Sequence, residues 1–173
     1  MNRSSPMLHS DIAARVVLMC GVSGSGKTFF SRELEKNGYV RLSVDELLWE
    51  LYGPMSHRVP LEEQRVMIAG AMEELRRQMA THLEAGERVV VDATFCKRAK
   101  RRSFVEFCRN RGAEPLFVYM KAGLPLLKER MKRREGRGPN DQIVPSERLS
   151  LFFSNFESPG ADENFITVAE SED

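Results

Sequence analysis

Eight consecutive residues, Gly21-Val22-Ser23-Gly24-Ser25-Gly26-Lys27-Thr28, constrain this chain more than any other stretch. They match G-x-x-x-x-G-K-[ST], follow the apolar run Val16-Val17-Leu18-Met19-Cys20, and precede a helix-favouring segment from Phe29 to Lys36. Strand, glycine loop and helix in that order make a turn whose backbone N–H groups and positive helix end cradle a polyphosphate. Gly21, Gly24 and Gly26 let the backbone curl without a Cβ in the way. Lys27 reaches toward the terminal phosphates, and Thr28 offers its hydroxyl to Mg²⁺. The expected phosphate-binding set is Gly21, Ser23, Gly24, Ser25, Gly26, Lys27, Thr28 and Phe29. The competing account is a glycine-rich turn that binds nothing, and the flanking strand and helix disfavour it.

The rest of the chain alternates in the same way. Apolar runs fit for strands fall at Arg15–Cys20, Tyr39–Leu42, Arg88–Val91, Pro115–Met120 and Phe165–Val168. Between them, helices are expected near Lys27–Asn37, Asp45–Tyr52, Leu61–Ala85, Lys97–Arg111, Leu124–Arg134 and Ser146–Phe156. In the longest, Leu61, Ile68, Met72, Leu75, Met79 and Leu83 recur at helical spacing, which reads as a core-facing stripe ended by Gly86. Strand–helix alternation predicts an α/β fold, a parallel sheet covered on both faces, with ligands at the carboxyl ends of the strands. With 173 residues the chain is about one domain, read as a flexible leader over 1–14 and a single unit over 15–173. No apolar run approaches a membrane span. Three cysteines, Cys20, Cys96 and Cys108, match neither a zinc nor a disulfide pattern, so a reducing cytoplasm is the expected setting. His9, His57 and His82 suggest no metal cluster, although His57 with Trp49 and Tyr52 is placed at an acceptor pocket.

Two carboxylates should share the sheet edge with the glycine loop. Asp92 closes Val89-Val90-Val91-Asp92, where an acid can hold Mg²⁺ beside Thr28; alternatively it caps the helix that begins near Lys97. Asp45 follows the second strand, placed to orient an attacking hydroxyl and accept its proton. Ser43-x-x-Glu46 is also a capping box, and a cap would fix the loop that aims Asp45. Thr94 is either a hydrogen-bond donor to substrate or a plain turn residue. Arg130 and Arg134, four apart, fall on one helical face and can neutralise transferring phosphate. Gly136, Gly138 and Pro139 then mark a lid over about 134–147 that also carries Arg137. Charge is uneven: Lys97 to Arg137 holds 14 Lys/Arg against 4 Asp/Glu, whereas Leu151 to Asp173 holds 6 acids and no base. This reads as a basic face toward an anion or as a solvated helix face with an acidic tail. The aromatics of Leu149–Phe156 are read as core packing, with an aromatic shelf for adenine or an acceptor as the alternative.

The loop at Gly21–Thr28, the Ser43-Val44-Asp45 segment, Val89–Thr94 and the arginine-bearing stretch Leu124–Arg137 together resemble the small P-loop kinases. The resemblance is to the group that includes polynucleotide kinase domains and chloramphenicol phosphotransferase. It implies a three-layer αβα fold, a five-stranded parallel sheet in the order 2-3-1-4-5, a LID-like segment, ATP and Mg²⁺. It also implies Asp45 as base. The loop is similar to that of gluconokinases too, but their Asp-rich and His-Pro segments are not evident here. The expected activity is transfer of the γ-phosphoryl group of ATP to a hydroxyl of a small molecule. Catalysis is assigned to Lys27, Asp45, Arg130 and Arg134, nucleotide binding to the loop with Arg137, and metal to Thr28 and Asp92. The alternatives are a polynucleotide 5′-hydroxyl kinase, using Lys97–Arg111 as a backbone track, or an ATP-dependent switch with no acceptor.

Overall fold

The computed structural model describes residues 9–54 and 59–169. Five strands, β1 (Val16–Cys20), β2 (Val40–Ser43), β3 (Val89–Asp92), β4 (Pro115–Lys121) and β5 (Phe165–Ala169), form one parallel sheet ordered β2-β3-β1-β4-β5. Six helices connect or cover them: α1 (Lys27–Lys36), α2 (Val44–Tyr52), α3 (Leu61–Glu84), α4 (Arg98–Arg109), α5 (Leu124–Lys132) and α6 (Ser146–Ser154). This is the three-layer αβα arrangement and strand order that the resemblance implies.

The central strand shows why. β1 pairs with β3 from Val16↔Val89 to Leu18↔Val91, and with β4 from Val16↔Pro115 to Cys20↔Tyr119. Flanked on both sides and covered on both faces, it must be apolar at every position, and all its residues are buried. Its side chains alternate between two cores. Val16, Leu18 and Cys20 join residues of α2, α3 and α4, including Leu47, Leu75, Met79 and Phe104. Val17 and Met19 face Phe30 and Leu34 of α1. A third cluster, Val22, Leu127, Met131 and Leu149, ties the glycine loop to α5 and α6.

Several expectations need correction. The leader is not free over all of 1–14. Ile12 is buried, its carbonyl and that of Ala14 accept hydrogen bonds from Tyr39, and His9 packs on Phe30 at 4.2 Å between ring centroids. Residues 1–8 lie outside the described residues, as does His57. The stripe on α3 is core only in its second half: Met72, Leu75, Met79 and Leu83 are buried, whereas Leu61 is 60% and Ile68 42% exposed. A 24-residue helix outruns the short sheet it covers, so its first turns extend past the core. Helix α5 ends at Lys132, so Arg134 lies beyond its last turn rather than on a shared helical face with Arg130. Among the described residues, no helix is long and apolar enough to cross a membrane.

Candidate active site

Parallel strands deliver their carboxyl ends to one edge, and that edge carries the polar residues. The glycine loop leaves β1 there, Asp45 stands in the first turn of α2 after β2, and Asp92 closes β3. Around them opens a cavity of about 620 Å³ whose lining includes Ser23, Gly24, Gly26, Lys27, Thr28, Phe29, Asp45, Asp92, Thr94, Arg130 and Arg134.

The loop is shaped for close approach. Gly26 occupies the left-handed region as the N-cap of α1, where no side chain caps the first N–H groups. Gly21 also has a positive φ, and a Cβ there would meet Ser25 Oγ at 2.6 Å and the Met120 carbonyl at 2.7 Å. Lys27 is buried and donates from Nζ to the Val22 carbonyl at 2.9 Å. Burial pushes its ammonium below the usual lysine range, while Asp92 and Asp45 pull it back up. The Ser25 hydroxyl is buried without a hydrogen-bond partner among the described residues. Unsatisfied α1 N–H groups, a buried ammonium and a loop held tight at Gly21, where a Cβ has no room, fit a polyphosphate.

Asp45 is wetted through the cavity mouth but walled by protein. Thinned hydration, and then the negative charge of Asp92, raise its carboxyl above the ordinary range, against the pull of Lys27, Arg134 and Arg41. Thr28 and Asp92 supply a hydroxyl and a carboxylate. No cluster of three or more His, Cys, Asp or Glu able to hold a metal occurs among the described residues. That donor set fits Mg²⁺, which is commonly held by few protein groups together with substrate phosphates.

A buried network that sequence reasoning missed holds Asp92. The Arg41 guanidinium donates to Asp92 Oδ2 at 2.7 Å, to Glu46 Oε1 at 2.7 Å and to Ser31 Oγ at 2.9 Å. Ser31 donates to the same Asp92 oxygen at 3.2 Å. The capping box is therefore half a box: the Glu46 N–H bonds Ser43 Oγ, but the Glu46 carboxylate turns to Arg41 and to Asn140 Nδ2 at 2.6 Å. Nor does Asp92 cap α4. That helix is capped by Glu157, whose Oε2 accepts the Arg98 N–H at 2.8 Å. The available signal for Arg41 was an arginine inside an otherwise apolar strand.

From the other side, Arg130 donates to the Gly24 carbonyl at 3.0 Å and Arg134 to the Gln142 carbonyl at 2.8 Å. The segment after α5 folds back on Asp141, whose carboxylate accepts the N–H groups of Glu135 and Arg137. Arg137 does not reach the cavity; it is exposed and pairs with Glu135 at 2.7 Å. Trp49 and Tyr52 are not among the cavity residues either, whereas Leu48 of α2 and Ile68 and Met72 of α3 are. Phe95, buried below the cavity, holds a left-handed φ of 44°. Arg101 clamps it there, donating to the Phe95 carbonyl at 2.9 Å while gripping Glu163 at 2.7 and 3.1 Å. The aromatics after α5 pack rather than form a shelf in this cavity: Phe156 stacks on Tyr119 at 5.7 Å. With Phe153 they line a second cavity of about 500 Å³ beneath Val22 and Ser25. Cys20 and Cys108 are buried free thiols, each pushed up to about 12 by burial.

Comparison with known proteins agrees with this geometry. No curated protein matches the sequence significantly. A gluconokinase from Sinorhizobium meliloti 1021 is 25% identical over 89% of this chain and 81% of its own, with a TM-score of 0.61. A sugar kinase from Janibacter sp. HTCC2649 is 22% identical over 90% of this chain and 85% of its own, with a TM-score of 0.67. A chain of the Pnkp1/Rnl/Hen1 RNA repair complex is 21% identical over 81% of this chain but only 43% of its own, with a TM-score of 0.65. The profile of AAA_33, described as AAA domain, matches residues 16–159, most of the sequence and all of the edge just described. The chain therefore belongs to the AAA_33 family, and its fold and sheet order are similar to those of the small P-loop kinases.

Proposed function

We propose that this protein is an ATP-dependent kinase that transfers the γ-phosphoryl group to a hydroxyl of a small molecule. One observation carries the reading: Asp45, among the described residues the only carboxylate besides Asp92 on the cavity wall, opens into the same chamber as Lys27, Thr28, Arg130 and Arg134. The loop amides and Lys27 hold the phosphates. Thr28 and Asp92 would hold Mg²⁺, which neutralises phosphate charge when bound. Asp45 orients the acceptor hydroxyl and takes its proton, its raised affinity for protons making it a stronger base than an ordinary carboxylate. Arg130 and Arg134 lie over the transferring group, and the segment 134–147, with Arg137, acts as the lid.

The polynucleotide alternative loses support at the basic run. Lys97 pairs with Glu157, Arg98 with Asp162, Arg101 with Glu163 and Arg109 with Glu114. Three of those cations are spoken for by the acidic segment over 157–163 and the fourth by Glu114, and a paired stripe makes a poor phosphate track. The test is to incubate the protein with ATP, Mg²⁺ and a metabolite extract containing a 5′-hydroxyl oligonucleotide. Mass spectrometry should find a small molecule that gains a phosphoryl group with wild type and not with Lys27→Ala. Normal turnover in Lys27→Ala with its fold retained would remove this site from the chemistry.

A further inference from the structure

We propose that the acceptor is an alcohol carried on a largely apolar body with an anionic group at its far end. This rests on the kinase reading above and concerns the part of the cavity beyond Asp45. There the wall is built by Leu48 of α2, Ile68 and Met72 of α3, and Ala93 after β3. Ile68 is 42% exposed, a large aliphatic side chain turned to the cavity instead of the core. A polyol needs a donor or acceptor for each hydroxyl it buries, and every unmatched one costs affinity. Away from the glycine loop, the neutral polar groups of the lining are Thr94, Cys96 and Asn140, whose Oδ1 is one acceptor without a partner among the described residues, too few for the hydroxyls of a polyol. Its chemistry favours carbon.

The charge available to such an acceptor is Lys100. It lines the cavity from α4 and has no hydrogen-bond or ion-pair partner among the described residues. Its neighbours differ: Lys97, Arg98 and Arg101 each have a carboxylate from the segment 157–163. The acidic segment thus satisfies three cations of this run, Lys97 on the cavity lining among them, and leaves Lys100 on that lining, and Arg102 away from it, without a carboxylate among the described residues. An anion on the acceptor completes the pattern. In the reaction the acceptor O–H bond breaks and its proton goes to the Asp45 carboxylate. The O–P bond forms to the γ-phosphorus, and the bridging P–O bond breaks with its electron pair leaving on ADP.

The test uses the full chain with Mg²⁺ and three probes. These are 4-(hydroxymethyl)benzoate, 4-methylbenzyl alcohol with the same ring and no charge, and gluconate with charge and hydroxyls but no apolar body. Binding in the presence of ADP is read by ligand-observed NMR, and transfer from ATP by mass spectrometry. The charged benzylic alcohol should bind roughly tenfold more tightly than gluconate, from one ring face buried against aliphatic side chains. Lys100→Gln should weaken the carboxylate probe about fivefold and the neutral one little, as expected for a half-exposed charge contact. Ile68→Asn should weaken both benzylic probes. Tighter binding of gluconate, equal effects of Lys100→Gln on both benzylic probes, or no benzylic binding by an ADP-bound protein overturns the inference. Failure of the kinase reading looks different: the probes bind in the stated order, yet neither they nor any metabolite gains a phosphoryl group.

Discussion

Replacing Arg41 by methionine should destabilise this protein more than any substitution on its surface. The Arg41 side chain is 4% exposed and that of Asp92 5%, with 2.7 Å between Nη2 and Oδ2. Methionine fills much of the same volume but leaves the buried Asp92 carboxylate with the Ser31 hydroxyl as its one remaining side-chain hydrogen-bond partner among the described residues. Stranding one member of a buried ion pair costs about 3–5 kcal/mol. The Glu46 contact adds about 0.5 kcal/mol at most, because Glu46 is over a third exposed. Against a total stability of about 5–15 kcal/mol, that loss is large. Urea unfolding followed by circular dichroism should show the midpoint falling by about 2 M, taking a slope of about 2 kcal/mol/M. The double variant Arg41→Met with Asp92→Asn removes the stranded charge, so it should lose about 2 kcal/mol less than the two single losses added together. A loss under about 1 kcal/mol in Arg41→Met, or strict additivity in the double variant, would refute the claim that Arg41 exists to hold Asp92.

Other substitutions report on the remaining parts. Asp45→Asn should leave nucleotide affinity near wild type and lower turnover more than about a hundredfold, measured by steady-state kinetics. In the wild type, the acid limb of kcat/KM should lie above the ordinary carboxylate range, since Asp45 must lose its proton to act. The sign for stability is the reverse. With the folded value raised, the stabilisation from Asp45 is complete below its unfolded value and is lost as pH rises through the folded one. Asp45→Asn should flatten that stretch of the stability profile measured in urea. Gly21→Ala should cost about 1–3 kcal/mol and weaken nucleotide binding, because the new Cβ meets the Met120 carbonyl at 2.7 Å. Calorimetric titration with ATP checks the second effect, and unchanged affinity would show that the loop relaxes freely. Asn140→Ala removes the bond from the lid segment to Glu46. Hydrogen exchange across 134–147 should quicken while global stability moves by less than about 1.5 kcal/mol.

What could be read in advance divides by the range of the interaction. Five strands and six helices are visible in the sequence because each depends on its own residues: alternating burial, a glycine stop after α3, apolar runs of strand length. The glycine loop is legible for the same reason, since its work is done by consecutive backbone N–H groups and one lysine. Asp45 and Asp92 could be placed on the shared edge because parallel strands bring their carboxyl ends together whatever the details of packing.

The structure decided everything that depends on two distant segments meeting. The sequence shows a basic stretch and an acidic one; only the fold brings Lys97, Arg98 and Arg101 against Glu157, Asp162 and Glu163, turning a candidate nucleic-acid track into internal ion pairs. Arg41 in β2 and Asp92 in β3 are 51 residues apart, and no spacing rule pairs them. Ile68 repeats in register with the buried residues of α3, yet it lies where the helix has run past the sheet, so the same periodicity that buries Leu75 leaves Ile68 on a cavity wall. Local propensity and backbone geometry act over a few residues and are written in the sequence in order. Charge pairing and burial act through space, and their outcome exists only once the chain has closed on itself.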